Sequence, residues 1–372
     1  MAPPLDVCLR GAGVVGRTLA LLLARERLNV GLTGQAAAAT GAASDVRAYA
    51  LNAASRQLLE ALRAWPDERH CTPVKAMQVH GDDGGEVRFD AQQQGVQALA
   101  WIVDVAALQA QLDQALRFQP LVQLLEQPQA AALTVVCEGR ASATRAEFGV
   151  QYDVTPYPQH AIAARVSCEQ PHGQVARQWF GEGGILAFLP LGGPAETADG
   201  NSVALVWSVP QERAAQLLAL PATEFEARLQ AASHGALGKL ALASERACWP
   251  LQLARADRWC GPGWALAGDA AHTVHPLAGQ GLNLGLADAS ELARVLHERE
   301  YWRGVGDVKL LRRYERSRKA SVLAMGAATD GLQQLFAQEA GPWGWLRNWG
   351  MRGFERSGPL KQWVARQAAG RL

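Results

Sequence analysis

Length, composition and charge limit the classes of protein to which the chain can belong. The chain has 372 residues, 49% of them apolar and 19% charged, enough to bury the cores of about two domains. Its 36 basic and 35 acidic residues leave a formal net charge of +1, so no global field draws it to nucleic acid or an anionic membrane. We therefore expect no nucleic-acid partner.

Cysteine usage and the apolar stretches indicate a compartment. The six cysteines are scattered without a CxxC pair, which is typical of reduced thiols in a cytosolic protein. The first residues lack the positive start and apolar core of a signal peptide. No segment reaches the roughly 20 uninterrupted apolar residues that a membrane span needs. We expect a cytoplasmic protein that contacts a membrane at most peripherally, at its inner face.

The N-terminal part has a strand–turn–helix–strand pattern. Residues 5–10 form an apolar run typical of a buried strand, residues 17–27 are rich in Leu and Ala as in a helix, and residues 29–33 predict a second strand. Further predicted elements are helices over 53–64 and 104–116, two strands within 76–89 around a turn at 81–85, and a buried strand over 133–137.

The pattern changes after residue 150. Short β-type runs separated by turn residues over 150–209 predict an antiparallel sheet in a separate layer. The later predicted elements are helices over 222–232 and 236–243, a strand over 264–267, a long helix over 282–296, and a mostly helical remainder through residue 372.

These elements predict an α/β fold. A Rossmann-type nucleotide-binding domain is interrupted by an inserted, mostly antiparallel β-sheet domain and is followed by a helical C-terminal tail. The predicted limits are residues 1–70, 100–155 and 255–325 for the nucleotide-binding domain, 71–99 and 156–254 for the inserted substrate domain, and 326–372 for the tail.

A glycine fingerprint lies between the first strand and the first helix. Gly11, Gly13 and Gly16 have the spacing that lets backbone approach a pyrophosphate, which then sits at the helix N-terminus. The flanking strand, helix and second strand favour dinucleotide binding over a glycine-rich turn without a ligand.

The carboxylate that usually accompanies this fingerprint is missing. An Asp or Glu is expected at the end of the second strand, where it would bind the adenosine ribose. Thr33, Gly34 and Gln35 occupy that place. Losing one charge-assisted hydrogen bond would weaken nucleotide binding by about 1.5–3 kcal/mol. On this alignment, Gly34→Glu is expected to tighten it.

A second motif follows the strand at 264–267. Gly268 and Asp269 end that strand, where a carboxylate can bind a polyol, and Pro276 and a glycine-rich turn then lead into a helix. A helix N-terminus stabilises negative charge, which the pyrimidine end of a reduced flavin carries. This arrangement suits a flavin, although Asp269 could also be only a helix cap.

The residues of this motif carry a resemblance to a known family. Residues 275–285, HPLAGQGLNLG, together with Asp288 resemble the signature of the UbiH/UbiF-type hydroxylases of ubiquinone biosynthesis. These are class A flavoprotein monooxygenases, related to para-hydroxybenzoate hydroxylase. Residues 45–51, 148–191 and the C-terminal tail are also similar to that family, so the resemblance covers nearly the whole chain.

The resemblance implies FAD as cofactor, NAD(P)H as reductant and roles for individual residues. Glu138 and Gly139, followed by Ser142 and Arg145, match a third family motif in which Glu replaces Asp. The implied cofactor-binding residues are Gly11, Gly13, Gly16, Arg47, Glu138, Gly139, Gly268, Asp269, Gly281, Leu282 and Asn283. The implied catalytic positions, beside the isoalloxazine, are Pro276, Gly279 and Gln280.

The implied activity is an FAD-dependent monooxygenase that hydroxylates a phenolic ring with NAD(P)H and O2. The implied substrate is a lipophilic polyprenyl phenol of ubiquinone biosynthesis, and other proteins of that pathway are possible partners. Two alternatives stay open, a non-catalytic scaffold in the biosynthetic complex and a flavin-dependent reductase. His272 and His275 have no apparent third ligand, so we expect no metal.

Two basic or aromatic segments have alternative interpretations. The basic stretch from Lys309 to Lys319 is a solvated helix face or a surface that touches lipid headgroups or a partner. The tryptophans and arginines of the tail, residues 343–363, indicate either core packing or an interfacial surface.

Overall fold

The structure is a computed structural model that describes residues 4–34, 46–81, 85–181, 184–192, 200–274 and 280–337. Within these ranges the helices are α1 Val14–Arg25, α2 Ala53–Ala61, α3 Val105–Arg117, α4 Thr144–Glu147, α5 Gln211–Ala219, α6 Ala222–Ala232, α7 Gln280–His297 and α8 Val308–Ala337. The strands are β1 Leu5–Arg10, β2 Val30–Thr33, β3 Ala48–Leu51, β4 Cys71–Val74, β5 Ala76–His80, β6 Glu86–Asp90, β7 Ala100–Asp104, β8 Val122–Leu125, β9 Ala131–Val136, β10 Tyr152–Cys168, β11 Val175–Gly181, β12 Gly184–Leu191, β13 Ser202–Pro210, β14 Leu240–Leu242, β15 Ala247–Ala256, β16 Cys260–Gly261, β17 Trp264–Leu266 and β18 His272–Thr273.

A six-stranded, mostly parallel sheet runs in the order β16-β17-β9-β1-β2-β8. Strand β1 pairs in parallel with β2 on one side and β9 on the other, and β17 pairs in parallel with β9. Strands β1, β2 and β17 are mostly buried and apolar, as is typical of a parallel sheet covered by helices. The carboxyl ends of β1, β2, β9 and β17 therefore meet at one edge, which is where ligands bind in such sheets.

A nine-stranded sheet forms the second layer, in the order β18-β15-β10-β13-β12-β11-β5-β6, with β14 paired to β10. It is mostly antiparallel, and β11 and β5 are its parallel pair. Alternate residues of its central strands pack into a core beneath α5 and α6, with Phe188, Trp207 and Phe225 among its members. The opposite face of the sheet is turned toward the six-stranded sheet's ligand edge.

A three-stranded sheet, β3-β7-β4, packs against β12 of the nine-stranded sheet through β4 and β7 and against α7 through β3. Strand β4 belongs to it, whereas β5 directly afterwards joins the nine-stranded sheet. Strands β10 and β15 run through the limits predicted at residues 155 and 255. The division into domains remains a proposal, but the three sheets reproduce the predicted α/β architecture with its inserted antiparallel layer.

The structure corrects some predicted elements. Residues 236–243 do not form the predicted helix, because Leu240–Leu242 pairs antiparallel with Val166–Cys168 as strand β14. Helix α5 and strand β15 had no counterpart in the prediction. The paired strands within 76–89 and the helix over 222–232 are confirmed, while residues 82–84 of the predicted turn lie outside the described residues.

The long helix α8 confirms the predicted helical character of the C-terminal part as far as Ala337. Residues 338–372, with their tryptophans, lie outside the described residues. The basic stretch on α8 is divided: Arg318 is buried, Arg313 pairs with Glu300, and Lys319 pairs with Glu315. Among the described helices, none has the length and apolar character needed to cross a membrane. All six cysteines are unpaired, and Cys248 is the exposed one.

Candidate active site

The glycine fingerprint forms a tight turn at the carboxyl end of β1. A Cβ on Gly16 would lie 1.9 Å from the carbonyl oxygen of Gly11, and one on Gly11 would lie 2.4 Å from the backbone of Cys137. Only glycine therefore permits the close approach of β1, α1 and β9. Gly13, by contrast, has nothing within 4 Å of its Cβ position and faces a cavity. Gly11 and Gly13 line this cavity, whereas Gly16 serves packing.

The end of β2 has no room for a ribose-binding acid at position 34. Gly34 has a φ of +116°, and a Cβ there would lie 2.9 Å from the backbone nitrogen of Ala12. The expectation that Gly34→Glu tightens cofactor binding is therefore corrected, since the new side chain would press on the fingerprint itself. The hydroxyl of Thr33 donates to the Leu9 carbonyl at 3.2 Å, so it can only accept further hydrogen bonds and, being uncharged, does not replace the carboxylate. Gln35 lies outside the described residues.

Asp269 lies on the turn after β17 and lines the same cavity. Burial raises the pKa of its carboxyl, although the neighbouring His272, Arg140 and Arg47 oppose that effect. Within the described part of the chain, no hydrogen bond reaches this carboxylate, which is therefore available to a ligand. Tyr152 holds the turn, because its hydroxyl donates to the Asp269 carbonyl at 2.8 Å.

A buried ion-pair network supports the turn from beneath. Asp288 on α7 is fully buried and accepts hydrogen bonds from the Gly268 backbone at 2.9 Å and from Arg318 Nε at 2.7 Å. His272 Nε2 lies 2.7 Å from the same carboxylate, and its ring stacks on Trp259. Burial opposes the charge of Asp288, but His272 and Arg318 outweigh it and hold the pKa of this carboxyl below its usual value.

The network joins β17, α7 and α8 around one charge. Sequence reasoning named Asp288 only as the end of a motif and missed the roles of His272, Arg318 and Tyr152. A single signal was available: Asp288 is a carboxylate on the otherwise apolar face of the predicted helix. The described residues contain no cluster of three potential metal ligands, and His275 lies outside them.

Helix α7 begins at the cavity. Gly281 and Leu282 in its first turn line the cavity, so the N-terminus of the helix, the positive end of its dipole, opens onto it. Gln280 begins the helix but does not line the cavity. The other two predicted catalytic positions, Pro276 and Gly279, lie outside the described residues.

Asn283 is not among the residues that line the cavity, and its contact with the cofactor stays a prediction. Its amide donates to the Ala50 carbonyl at 2.8 Å, and its oxygen accepts from the Asn52 backbone at 3.0 Å and from Ser55 Oγ at 2.7 Å. This buried side chain attaches the start of α7 to β3 and α2.

The third motif also lies at the cavity. Glu138, Gly139 and Arg140 line it, as does Arg47. The Glu138 carboxylate accepts hydrogen bonds from Ser142 Oγ at 2.7 Å and Thr144 Oγ1 at 2.6 Å, so its described partners lie on its own turn. Its contact with a cofactor stays a prediction.

Arg145 of the same motif is buried over the ring of Tyr152, 3.4 Å from the ring centroid. Its guanidinium donates to the carbonyls of Ala270 and Arg140. Arg145 therefore ties the third motif to the turn that carries Asp269.

The cavity has a volume of about 1090 Å³ and is shared by all these elements. One end is lined by the loops after β1, β2, β9 and β17, and the other by the free face of the nine-stranded sheet. The sheet face is mainly apolar, with Ala161, Ala163, Ala187 and Val206 among its members. The cavity thus joins a polar end suited to a nucleotide to an apolar end suited to an aromatic ring.

FAD fits the residues at the polar end. Gly13 leaves open space at the N-terminus of α1 for a pyrophosphate, and the unpartnered carboxylate of Asp269 can accept hydrogen bonds from ribityl hydroxyls. The N-terminus of α7 opens onto the same cavity and can face the pyrimidine ring. A carboxylate for the adenosine ribose is absent from the end of β2.

Comparisons with known proteins identify the family of the chain. Residues 125–329 match the profile of the family described as "FAD binding domain". The chain is 31% identical to 3-demethoxyubiquinol 3-hydroxylase of Escherichia coli, over 99% of both chains. It is 32% identical to ubiquinone hydroxylase UbiL of Rhodospirillum rubrum, over 99% of this chain and 90% of the relative.

Solved structures share the fold. PqsL of P. aeruginosa, in complex with 2-aminobenzoylacetate, superposes with a TM-score of 0.77 at 22% identity, over 94% of this chain and 100% of the other. The p-nitrophenol 4-monooxygenase PnpA of Pseudomonas putida superposes with a TM-score of 0.76 at 15% identity, over the whole of both chains. The family match and the full-length relatives confirm the resemblance seen in the sequence. The chain belongs to the FAD-dependent hydroxylases of ubiquinone biosynthesis, within the class A flavoprotein monooxygenases.

Proposed function

We propose that this protein hydroxylates the aromatic ring of a phenolic intermediate of ubiquinone biosynthesis, using FAD, NAD(P)H and O2. One observation carries the proposal: a single cavity of about 1090 Å³ extends from the glycine fingerprint and Asp269 to the apolar face of the nine-stranded sheet. A ring on that face would share the cavity with the cofactor. The names of the full-length relatives give the pathway.

The chain's own residues would bind and orient the reactants. The N-terminus of α1 would hold the pyrophosphate, with Gly13 leaving it space, and Asp269 would accept hydrogen bonds from the ribityl chain. The first turn of α7 would direct its N–H groups at the pyrimidine ring, where they favour negative charge. When bound, FAD supplies the redox chemistry that activates O2.

The apolar sheet face would exclude water from the ring. Ala161, Ala163 and Ala187 present small side chains, which leave room for a substituted ring while offering no polar group to solvent. A lipophilic substrate would be taken up from a membrane surface. Peripheral membrane contact and contacts with other proteins of the pathway are part of the proposal.

The absorption spectrum tests the proposal first. The purified chain is loaded with FAD, freed of excess, and examined in the visible range. A retained flavin spectrum, followed by phenol-dependent NAD(P)H oxidation and transfer of one labelled oxygen atom from O2 to the ring, is the expected result. Flavin reduction by NAD(P)H without labelled product would favour the reductase alternative.

The missing ribose acid favours one alternative, the non-catalytic scaffold. Thr33 carries an uncharged hydroxyl that donates to the Leu9 carbonyl, and Gly34 carries no side chain. No carboxylate of the described residues therefore replaces the acid at the end of β2. A scaffold would retain no FAD even from a large excess. That result would overturn the hydroxylase proposal.

A further inference from the structure

Alternate side chains along each strand form the free face of the nine-stranded sheet, the face that lines the cavity. On β13, Ala204, Val206 and Ser208 line the cavity, whereas Val203 and Trp207 pack into the core beneath α5 and α6. Side chains of successive strand residues point to opposite faces. The Ser208 side chain therefore points into the cavity.

Ser208 is an unusual member of this lining. Its exposed fraction is 5%, and among the cavity-lining residues that the structure describes only Thr33 is also both polar and buried. Thr33 has a partner, because its hydroxyl donates to the Leu9 carbonyl. No described residue forms a hydrogen bond with the Ser208 hydroxyl. The Ser208 oxygen is not among the fully buried, unpartnered atoms of the described residues, so it is accessible from the cavity, where a ligand can supply its hydrogen-bond partner.

The neighbours of Ser208 indicate the chemistry of that ligand. Strand register places Ala161 on one side of it and Ile185 on the other, and Trp249 lies next to Ala161 on the following strand. A hydroxyl among apolar side chains recognises an apolar molecule that carries one hydrogen-bonding oxygen. The small Ala161 leaves space for a ring beside that oxygen.

We propose that Ser208 is a substrate-positioning residue, whose hydroxyl binds an oxygen substituent of the aromatic ring. This rests on the proposed function and deepens it. Fixing one oxygen of a planar ring against the sheet restricts how the ring turns within the cavity. Ser208 would thereby select the ring carbon presented to the cofactor.

The experiment compares two probes that differ by one oxygen. Binding of ortho-prenylphenol and of prenylbenzene, the same molecule without the hydroxyl, is measured by calorimetry with the FAD-loaded wild type and with Ser208→Ala. The wild type should bind the phenol about tenfold more tightly, as one hydrogen bond predicts, and Ser208→Ala should lose most of that preference. The coupling of NAD(P)H oxidation to phenol hydroxylation should fall in parallel.

Two further variants and a stability measurement provide the controls. Ser208→Thr keeps a hydroxyl and should keep the preference. Ser202→Ala removes a serine from the same strand outside the cavity lining and should change nothing. In urea, Ser208→Ala should unfold at the same or a higher concentration than the wild type, because it removes an unpartnered hydroxyl.

The outcomes separate this proposal from the proposed function. Equal binding of the two probes by the wild type, or an unchanged preference in Ser208→Ala, would overturn the role of Ser208 while leaving a flavin hydroxylase in place. A destabilised Ser208→Ala would also overturn it, because the hydroxyl would then be structural. Failure to retain FAD would instead reject the proposed function, and calorimetry would still measure the preference for the phenol.

Discussion

Two aspartates on adjacent elements of the site differ in their hydrogen bonding. This difference assigns one to cofactor binding and the other to the stability of the fold. Asp269 faces the cavity, and no described residue hydrogen bonds its carboxylate, whereas Asp288 has three partners beneath the turn. Burial raises the pKa of Asp269, while His272 and Arg318 lower that of Asp288. In the chain without ligand, the charge of Asp269 therefore lowers the stability of the fold, whereas the charge of Asp288 raises it.

We expect Asp269→Asn to weaken FAD binding without destabilising the protein. Losing a charge-assisted hydrogen bond should reduce the affinity by about 1.5–3 kcal/mol, measured by quenching of flavin fluorescence. The cofactor-free variant should be as stable as the wild type or more so in urea. Because the folded-state pKa of Asp269 is raised, its charge destabilises the fold as the pH rises above about 3.8, and the variant lacks this loss. A clear loss of stability in the variant would contradict the assigned role.

The opposite result is expected for Asp288→Asn. It leaves the buried Arg318 without its counter-charge and should destabilise the protein by about 3–5 kcal/mol. A lowered folded-state pKa contributes stability that is present above about pH 3.8 and is lost as the pH falls through the folded value, so the variant should lose this acid dependence.

Urea unfolding at several pH values checks this expectation. Glu298→Gln, one residue beyond the end of the same helix, is the control, since Glu298 forms an exposed pair with Arg294 worth under about 1 kcal/mol. Equal effects of the two variants would show that burial of the Asp288 network contributes little.

Sequence and structure give opposite predictions for the effect of Gly34→Glu on FAD binding. The alignment suggests that Gly34→Glu restores a ribose contact, but the positive φ and the 2.9 Å approach to Ala12 oppose any side chain there. We expect weaker FAD binding and lower stability. Gly95→Glu is a suitable control, because Gly95 also has a positive φ but nothing within 4 Å of its Cβ position. Tighter FAD binding by Gly34→Glu would show that the turn rearranges to accept the acid.

At the scale of elements, Asn283 links the start of α7 to β3 and α2. Asn283→Ala removes hydrogen bonds to Ala50, Asn52 and Ser55 and leaves buried groups unsatisfied. We expect a loss of about 2–3 kcal/mol in unfolding free energy. Amide hydrogen exchange should accelerate at Asn52, whose N–H loses its acceptor. Ser55→Ala, which removes one of the three contacts, should leave the protection of Asn52 in place, and equal exchange in both variants would argue against the link.

The local sequence pattern was sufficient to predict elements whose stability depends on residues close to them in the chain. Strand β1, the glycine turn and helix α6 follow from apolar runs, spacing and propensity. Residues 236–243 have a high helical propensity, yet Leu240–Leu242 forms a strand because β10, more than seventy residues earlier in the chain, offers an unpaired edge. Such a tertiary partner is invisible to a window of neighbouring residues.

The same limit applies to the site. The sequence located the turn of Gly268 and Asp269 and the glycine fingerprint, because each is a contiguous motif. It missed the partnership of Asp288 with Arg318, which come from different helices. It also missed Ser208, whose importance depends on which face of a sheet is covered.

The whole molecule is arranged as two sheets that share one cavity. The six-stranded sheet contributes the loops for the nucleotide, and the nine-stranded sheet contributes the apolar floor. Arg165 on β10 pairs with Asp104 at the end of β7, so this ion pair links the nine-stranded sheet to the three-stranded sheet. A ligand that fills the cavity would contact both layers and should therefore couple their stabilities.

We expect FAD to protect both sheets from local unfolding. Binding at one hundred times the dissociation constant should stabilise the protein by about 2.7 kcal/mol. Hydrogen exchange should slow at β9 and β1 and also at β10 and β13, whose opposite face packs on the second core. ADP, which would occupy the fingerprint alone, should protect the six-stranded sheet and leave β10 and β13 unchanged. If FAD protects only the strands that ADP protects, the flavin ring does not reach the nine-stranded sheet, and the shared cavity cannot bring a ring on that sheet to the cofactor.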